Sequence, residues 1–392
     1  MSAAIEAADR RWKRSTQRWA RELHVRVPVI NLATWRDDTI QNQLSSALGH
    51  LTGDKWSFDF YQWEGDATSS KRQRPLFPNE NKQFAIAYSG GLDSRCVSGL
   101  FNKNDVAVCV RVAKHKEVPK DGERPFDRLP FEVSVDGDED SVRSRGFKFA
   151  TITAIAAHLS NVSRIIVPES GQGALGTVLC PLIGVYPDYR NHPTFFRRME
   201  IFINSVLNTN LTYEQPRLWY TKAETITACM NDGVPSAHII DTRSCWQQRF
   251  NVRVDGDLLQ CGICAACLLR RMSLSAANVQ EPNNTYSVAD LTAQTFSEAV
   301  SARGFAATGT LGEFGYMGAR HLDQLAKLSD MPDNKLRPYV AELSSALNAT
   351  EADIHVQLRR LLNRHAEEWR AFLAATGGLS FLNTWTMGGR NG

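Results

Sequence analysis

The stretch FAIAYSGGLDS, Phe84 to Ser94, decides how the rest of the chain is read. An apolar run of strand character ends in Ser-Gly-Gly, and Leu-Asp-Ser opens a helix directly behind it. Two adjacent glycines let a backbone take positive φ and come close to a ligand. In an α/β sheet, ligands lie outside the carboxyl ends of the strands, where the turn into the next helix offers free N–H groups. Ser89, Gly90 and Gly91 are therefore expected to wrap an anion, with Leu92 completing the loop and Asp93 and Ser94 serving as cap, metal-water ligand or phosphate contact. The geometry suits pyrophosphate. No GK[ST] follows, so this is not a Walker sequence, and GxGxxG is absent too. A tight strand-to-helix turn with Asp93 or Ser94 as an ordinary amino cap is the alternative.

Outward from Gln83, strand-like and helix-like runs alternate: QFAIAY, a helix from Ser94 to Phe101, DVAVCVRV (Asp105 to Val112), a helix from about Ser141 to Leu159, and RIIVP (Arg164 to Pro168). This predicts an α/β fold, a doubly wound parallel sheet with helices on its faces. The acidic run Val135 to Asp140 reads as a solvated loop or helix start. Thr194 to Asn208 and Thr221 to Gly233 read as helices, the second with a glycine stop. Residues 1–82 form an amino-terminal extension of helix plus strands, with strand-like Val25 to Ala33 and Trp56 to Glu64 and a polar linker over Ala67 to Lys82. Residues 83–280 carry the α/β core. Residues 281–392 read as a helical domain of their own, mostly helical from Asp290 to Arg370. The pattern is clearest from Ala352 to Ala375, where Ile354, Leu358, Leu361 and Leu362 recur at helical spacing.

A chain of 392 residues with 43% apolar side chains supports two or three domains with buried cores. Its 45 Lys and Arg against 42 Asp and Glu leave a net charge of +3, which argues for neither a nucleic-acid nor a membrane partner. Met1 to His24 is basic, but Glu6, Asp9 and Glu22 interrupt it and no apolar core follows, so it does not read as a secretory signal. No stretch of about 18 apolar residues offers a membrane span. With the cysteine usage below, these features predict a cytoplasmic protein.

Four of the eight cysteines crowd into SCWQQRFNVRVDGDLLQCGICAACLLRR, Ser244 to Arg271. Cys261, Cys264 and Cys267 form C-x2-C-x2-C, and Cys245 precedes them. Such spacing favours a metal over disulfides. Four thiolates fill a tetrahedral zinc site completely, which makes it structural, and Gly262 allows the tight knuckle. An iron–sulfur cluster also takes cysteine ligands. Cys229 or Cys180 in place of Cys245 is the less favoured ligand set.

SGGLDS (Ser89 to Ser94) resembles the pyrophosphate loop of the PP-loop ATP pyrophosphatases, SGGxDS. That resemblance implies cleavage of ATP between the α and β phosphates, with Mg²⁺ sharing the charge, transfer of AMP to a substrate and release of pyrophosphate. Argininosuccinate, GMP and NAD synthetases and tRNA-modifying enzymes share the loop. Loop and cysteines together, in this order, resemble the 7-cyano-7-deazaguanine synthases, the QueC family, whose chain continues with T-x-SCY and a C-x2-C-x2-C zinc knuckle. The corresponding residues are TRSCW (Thr242 to Trp246) and CGICAAC (Cys261 to Cys267), with weaker echoes in GVYPDYR (Gly184 to Arg190) and TKAETI (Thr221 to Ile226). The resemblance covers about residues 83–275.

It implies ATP and Mg²⁺ at Ser89 to Ser94, Zn²⁺ at Cys245, Cys261, Cys264 and Cys267, and a 7-carboxy-7-deazaguanine-type substrate whose carboxylate attacks the α phosphate before an amine displaces AMP. Catalysis of this kind rests on positioning and charge neutralisation. Asp93, Lys222 and Arg190 are the expected catalytic groups. Glu169, Asp188 and Arg243 are placed on the substrate side, and Val106 to Val112 is expected to flank the adenine. For each cation, a surface salt bridge is the alternative.

Four features depart from the family pattern. Tyr189 stands where YPDCR has cysteine, Glu169 to Gly184 differs from the usual stretch, the segment between Cys245 and Cys261 is longer, and extensions flank both ends. Such enlarged chains resemble the QueC-like components of bacterial anti-phage systems, QatC of the Qat system first and its type IV CBASS counterpart second. That resemblance leads to the expectation that the acyl group passes to an amine on a partner protein of the defence operon. The alternatives are a free synthase using ammonia to make the nitrile, a tRNA-modifying enzyme that contacts nucleic acid through the basic amino-terminal helix with Trp12 and Trp19, and a non-catalytic scaffold. A solvated amphipathic helix is the favoured account of that amino-terminal stretch.

Overall fold

The computed structural model describes residues 1–14, 20–65, 81–113, 127–130, 137, 139, 142–181, 186–247, 252–254, 256–300 and 308–387. Most of the acidic run, nearly all of the polar linker, and Trp19 lie outside the described residues.

Helix α1 (Ser2–Arg11) leads into a βαβ unit formed by β1 (Glu22–Val29), the short α2 (Leu32–Arg36), α3 (Asp38–Thr52) and β2 (Lys55–Gln62). Alternate residues of both strands are buried, Leu23, Val25, Val27 and Val29 in β1 and Trp56, Phe58 and Phe60 in β2. The strands pair in parallel, Glu22 opposite Lys55, and parallel strands need a crossover. Helix α3 supplies it. Asp37 caps its start by accepting from the Thr39 and Ile40 amides, and Gly53 closes it at φ +73°. Ile40, Leu44, Ala47, Leu48 and Leu51 give α3 its buried stripe.

The amino-terminal helix departs from the solvated account. It ends at Arg11, and Ile5, Glu6 and Asp9 are buried. Behind it lies an internal ion-pair network: Arg14 meets Asp54 at 2.8 Å and Asp9 at 3.0 Å, and Arg21 meets Asp54 at 2.6 Å. The Ser144 amide donates to Asp9 at 2.7 Å, tying the extension to the core. Arg14 and Arg21 thus point inward, whereas Arg11, Trp12 and Lys13 are exposed.

The expected α/β sheet is present. Strands β3 (Phe84–Ala87), β4 (Ala107–Ala113), β5 (Asp127–Pro130), β6 (Arg164–Ile166) and β7 (Thr212–Glu214) are parallel in the order β5-β4-β3-β6-β7. The connecting helices are α4 (Leu92–Phe101), α5 (Arg145–Leu159), α6 (Gly171–Leu179) and α7 (Pro193–Leu207). Beyond the last strand come α8 (Lys222–Asn231), α9 (Ser236–Ile240), the hairpin β8 (Arg253–Val254) and β9 (Asp257–Leu258), and α10 (Ala265–Ala276). Ala85, Val108, Val110 and Ile165 face one core with α3, α5 and α7. Their neighbours Phe84, Ile86, Ala107 and Ile166 face the opposite side, against Val97 of α4. The sheet is covered on both faces, as parallel sheets require.

The carboxy-terminal region comprises α11 (Gly309–Lys327), α12 (Asp333–Leu347), α13 (Glu351–Thr376) and α14 (Phe381–Met387). Helix was expected from Asp290, but residues 291–299 form bends and turns ending in a bridge between Val288 and Val300. Ile354, Leu358, Leu361 and Leu362 are buried in one cluster with Ala174 and Leu175 of α6. One side of α13 therefore packs on the core domain. Trp369, wholly buried, joins a second cluster with Cys261, Cys264 and Cys267. Among the described residues, no helix is long and apolar enough to cross a membrane.

Burial alone would raise the Asp54 pKa, but hydrogen bonds from Arg21 and the charges of Arg14 and Arg21 outweigh it and hold the carboxyl below its ordinary value. The stability this contributes is present above about pH 4 and is lost as pH falls through the lower folded value. Asp54→Ala leaves two guanidinium groups buried and should cost about 3–5 kcal/mol, read as a lower urea midpoint at unchanged slope.

Candidate active site

Strand β3 lies at the centre of the sheet, β4 on one side of it and β6 on the other. The winding reverses between β3 and β6, and a crevice opens outside the carboxyl ends of such strands. The Ser89 to Ser94 loop leaves β3 at this crevice, and Glu169 leaves β6.

Neither Gly90 nor Gly91 takes a positive φ. Gly91 is extended at φ −81°, ψ 156° and caps α4 without a side-chain hydrogen bond. The expectation of left-handed backbone is therefore corrected: α4 starts from an extended residue. Glycine leaves open space instead, since a Cβ at Gly90 would meet no atom within 4 Å. The capping alternative also fails. Ser94 Oγ accepts from the Ser89 amide at 2.8 Å and donates to the Ala87 carbonyl at 3.2 Å, while Ser89 Oγ accepts from the Gly91 amide at 3.2 Å. The loop is braced by its own serines, and the first turn of α4 is left without a side-chain acceptor, an arrangement that favours an anion. The side chain of Leu92 lies in the apolar cluster beneath.

Asp93 pairs with Lys222 at the first position of α8. Lys222 Nζ also lies 3.9 Å from Glu169 Oε1. Lys222 is buried, and although burial lowers its pKa, the charge and hydrogen bond of Asp93, joined by Glu169 when that group is ionised, raise it on balance, so the ammonium stays charged. Burial first, and the Asp93 charge second, push Glu169 up to about 8. Glu169 Oε2 accepts from Asn191 at 2.8 Å and Oε1 from the Ser170 amide at 3.2 Å. Asp93 Oδ1 is buried without a hydrogen-bond partner. An orphaned carboxylate oxygen beside a phosphate loop fits a Mg²⁺ ion or its water shell.

The other expected cations sit further out. Arg190, half-exposed, pairs with Asp188 at 2.6 Å, and the Thr177 hydroxyl donates to the Asp188 carbonyl at 3.2 Å. Arg243 meets the loop through its backbone, its amide donating to the Gly90 carbonyl at 3.2 Å. Its guanidinium donates to the Leu259 carbonyl at 2.5 Å, and Nη2 is buried without a partner. Asp93, Lys222 and Glu169 therefore come together. Asp188 and Arg190 pair beside them, near enough for the Arg190 charge to act on Glu169.

Sequence reasoning missed the groups that hold Lys222 in place. Thr221 and Glu224 form a reciprocal capping box at the start of α8, whose T-x-x-E signature stands in TKAETI. Gln172 Oε1 accepts from the Lys222 amide at 2.7 Å, and Gln172 Nε2 donates to His365 Nδ1 at 2.9 Å. His365 Nε2 donates in turn to the Leu322 carbonyl. The Thr221 hydroxyl donates to Glu368 at 2.7 Å. His365 and Glu368 belong to α13, and no local pattern links them to residues far upstream. Glu169 folds over Gly173, where a Cβ would lie 2.1 Å from Glu169 Oε1 and would displace the carboxyl group.

The four cysteines meet as expected, with Cys245 as the fourth member and all sulfurs within 4.8 Å of one another. Cys180 and Cys229 are buried elsewhere. Cys261 and Cys267 sulfurs lie 3.8 Å apart, and the Cys261 and Cys264 amides each point at a cysteine sulfur at 3.3 Å. Amides directed at sulfur stabilise thiolates, so the donor set fits a closed zinc site. Gly262 turns the knuckle at φ +87°. Arg270, fully buried, holds the Thr242 to Cys245 segment through Thr242 and the Ile240 carbonyl and is neutralised by Glu281 at 2.8 Å.

A family model described as Queuosine biosynthesis protein QueC matches residues 145–278. The match runs from α5 to just past α10 and includes Glu169, Asp188, Arg190, Lys222, Arg243 and the four cysteines. It supports a QueC-like PP-loop protein with ATP-dependent, ligase-like chemistry of the 7-cyano-7-deazaguanine synthase kind on a deazaguanine-type small molecule.

Gly262→Ala places a side chain at a left-handed residue, at a cost of about 1–2 kcal/mol, and sets its Cβ 2.4 Å from the Val288 carbonyl. The variant should bind zinc more weakly and unfold at a lower temperature than the parent, read by chelator competition and thermal melting.

Proposed function

We propose that this protein uses ATP to adenylate a 7-carboxy-7-deazaguanine-type acid and then joins the acyl group to an amine on a partner protein, as in an anti-phage system of the Qat type. The observation that carries the adenylation is Lys222, held between Asp93 and Glu169 beside an uncapped helix start at the switch point. A substrate carboxylate oxygen attacks the α phosphorus, the bond to the bridging oxygen breaks, and pyrophosphate leaves into the loop. The loop amides and Lys222 take up its charge, an electrostatic contribution present before the reaction begins. Mg²⁺, when bound at Asp93, neutralises further phosphate charge. The amine then attacks the acyl carbon and AMP departs. Glu169, neutral below about pH 8, donates a hydrogen bond to the substrate edge while protonated.

The transfer to a protein amine rests on the extensions. Helices α3 and α12 both pack on α7, and α13 holds the start of α8, so both extensions stand close around the core. A free synthase that uses ammonia is the second reading, and the family match favours it over other PP-loop chemistries. For a tRNA-contacting reading, the described part of the amino-terminal stretch offers Arg11, Trp12 and Lys13 at the surface, while Arg14 and Arg21 are turned inward.

Mass spectrometry after incubation with Mg²⁺, ATP, 7-carboxy-7-deazaguanine and ammonium should reveal AMP. Asp93→Ala and Lys222→Met should each slow AMP formation by about 10²–10³-fold. Intact-mass analysis of each co-encoded protein should then show one acquiring the acyl group. Efficient nitrile formation with no mass added to any partner would favour the free synthase. AMP production equal in parent and variants would remove the proposed site.

The ionisation of Glu169 should appear as a step near pH 8 in the rate of AMP formation, with the protonated form present on the acid side. Glu169→Gln cannot ionise and should keep the acid-side rate through that range. A parent profile that is flat from pH 6.5 to 9.5 would count against the assigned role.

A further inference from the structure

A second group of metal-ligating side chains lies outside this site. His50 on α3, His192 at the start of α7 and Glu342 on α12 each offer a ligand atom, and the three atoms lie within 4.8 Å of one another. They come from the amino-terminal unit, the core and the carboxy-terminal helices respectively. His192 is almost fully buried, and its Nδ1 stands 3.8 Å from Glu342 Oε1. That separation is too long for a hydrogen bond and suits two donors that share one ion, each about 2.0–2.2 Å from it. His50 Nε2 is buried and has no hydrogen-bond partner. A buried ring nitrogen left unpaired is costly to the fold and calls for an explanation.

We propose that His50, His192 and Glu342 bind a divalent transition-metal ion of the zinc class, fastening both extensions to the core. Two imidazoles with one carboxylate form a nitrogen-rich donor set that suits zinc and disfavours magnesium or calcium, which take oxygen ligands. The surroundings orient the ligands. The Thr194 hydroxyl donates to Glu342 Oε1 at 2.8 Å, and the Tyr189 ring lies 4.4 Å from the His50 ring and 5.5 Å from that of His192. Outer-shell hydrogen bonds of this kind hold metal ligands in register. An ion here takes over the lone pair that His192 Nδ1 lends to the Thr194 amide, a long bond at 3.3 Å. The inference does not rest on the proposed reaction.

Metal analysis of the full-length protein purified with zinc tests it. The parent should hold two equivalents of zinc, whereas His50→Gln and Glu342→Gln should each hold one. Glu342 is one-third exposed, so its variant keeps the readout available if His50→Gln folds poorly. Cobalt added to parent protein whose cysteine site is already filled with zinc should give weak visible bands without sulfur-to-metal charge transfer, and neither variant should show them. One equivalent in the parent with no further binding of zinc or cobalt, or two equivalents in parent and variants alike, would overturn the site.

Discussion

A lysine at the first position of a helix is poorly placed, because the amino end of the helix already carries partial positive charge. Lys222 is buried there, which adds a desolvation penalty. The position is tenable because Asp93 pairs with it. The contact joins the start of α8 to the start of α4, directly behind the pyrophosphate-type loop. Much of the surrounding architecture serves to keep these two helix starts in register.

Helix α13 contributes most of that restraint. Glu368 accepts from Thr221, Arg360 pairs with Glu224, and His365 holds Gln172, which accepts from the Lys222 amide. Each bond fixes the capping box or the backbone, so Nζ remains free to meet Asp93. The order of donors is consistent throughout: the Leu322 carbonyl can only accept, so His365 carries its proton on Nε2 and accepts at Nδ1 from Gln172. Burial pushes His365 down to about 4 and Glu368 up to about 7. The neutral imidazole keeps this relay in one arrangement through the physiological range.

Much of this was legible in the sequence where chemistry is local. SGGLDS marked the turn at the switch point, the cysteine spacing marked the knuckle with Cys245 included, and strand-helix alternation marked the sheet. Three kinds of information were not local. The φ angles of Gly90 and Gly91 depend on how α4 begins, so glycine signalled space beside the loop and not a left-handed turn. The crossover α3 was missed because its stripe lies between two stronger strand patterns, although Ile40, Leu44, Ala47 and Leu51 follow the helical period. The partners of Lys222 on α13 are separated from it by more than a hundred residues and read locally as ordinary polar positions of an amphipathic helix.

The aromatic ring of Tyr189 shows how the extensions and the core depend on one another. Tyr189 packs between His50 of the amino-terminal unit and His192, while Tyr186 donates to the His50 carbonyl at 2.8 Å. The same segment carries Arg190 and Asn191, and Asn191 holds Glu169. Gly146 permits this approach, since a Cβ there would lie 2.6 Å from the Arg190 Cβ. A small thiol at position 189 would leave the ring's volume empty beside His50, and packed interiors do not tolerate such a void without loss. The Tyr189 ring thus ties the amino-terminal unit to this segment, and through Asn191 the segment reaches the carboxyl group beside Lys222.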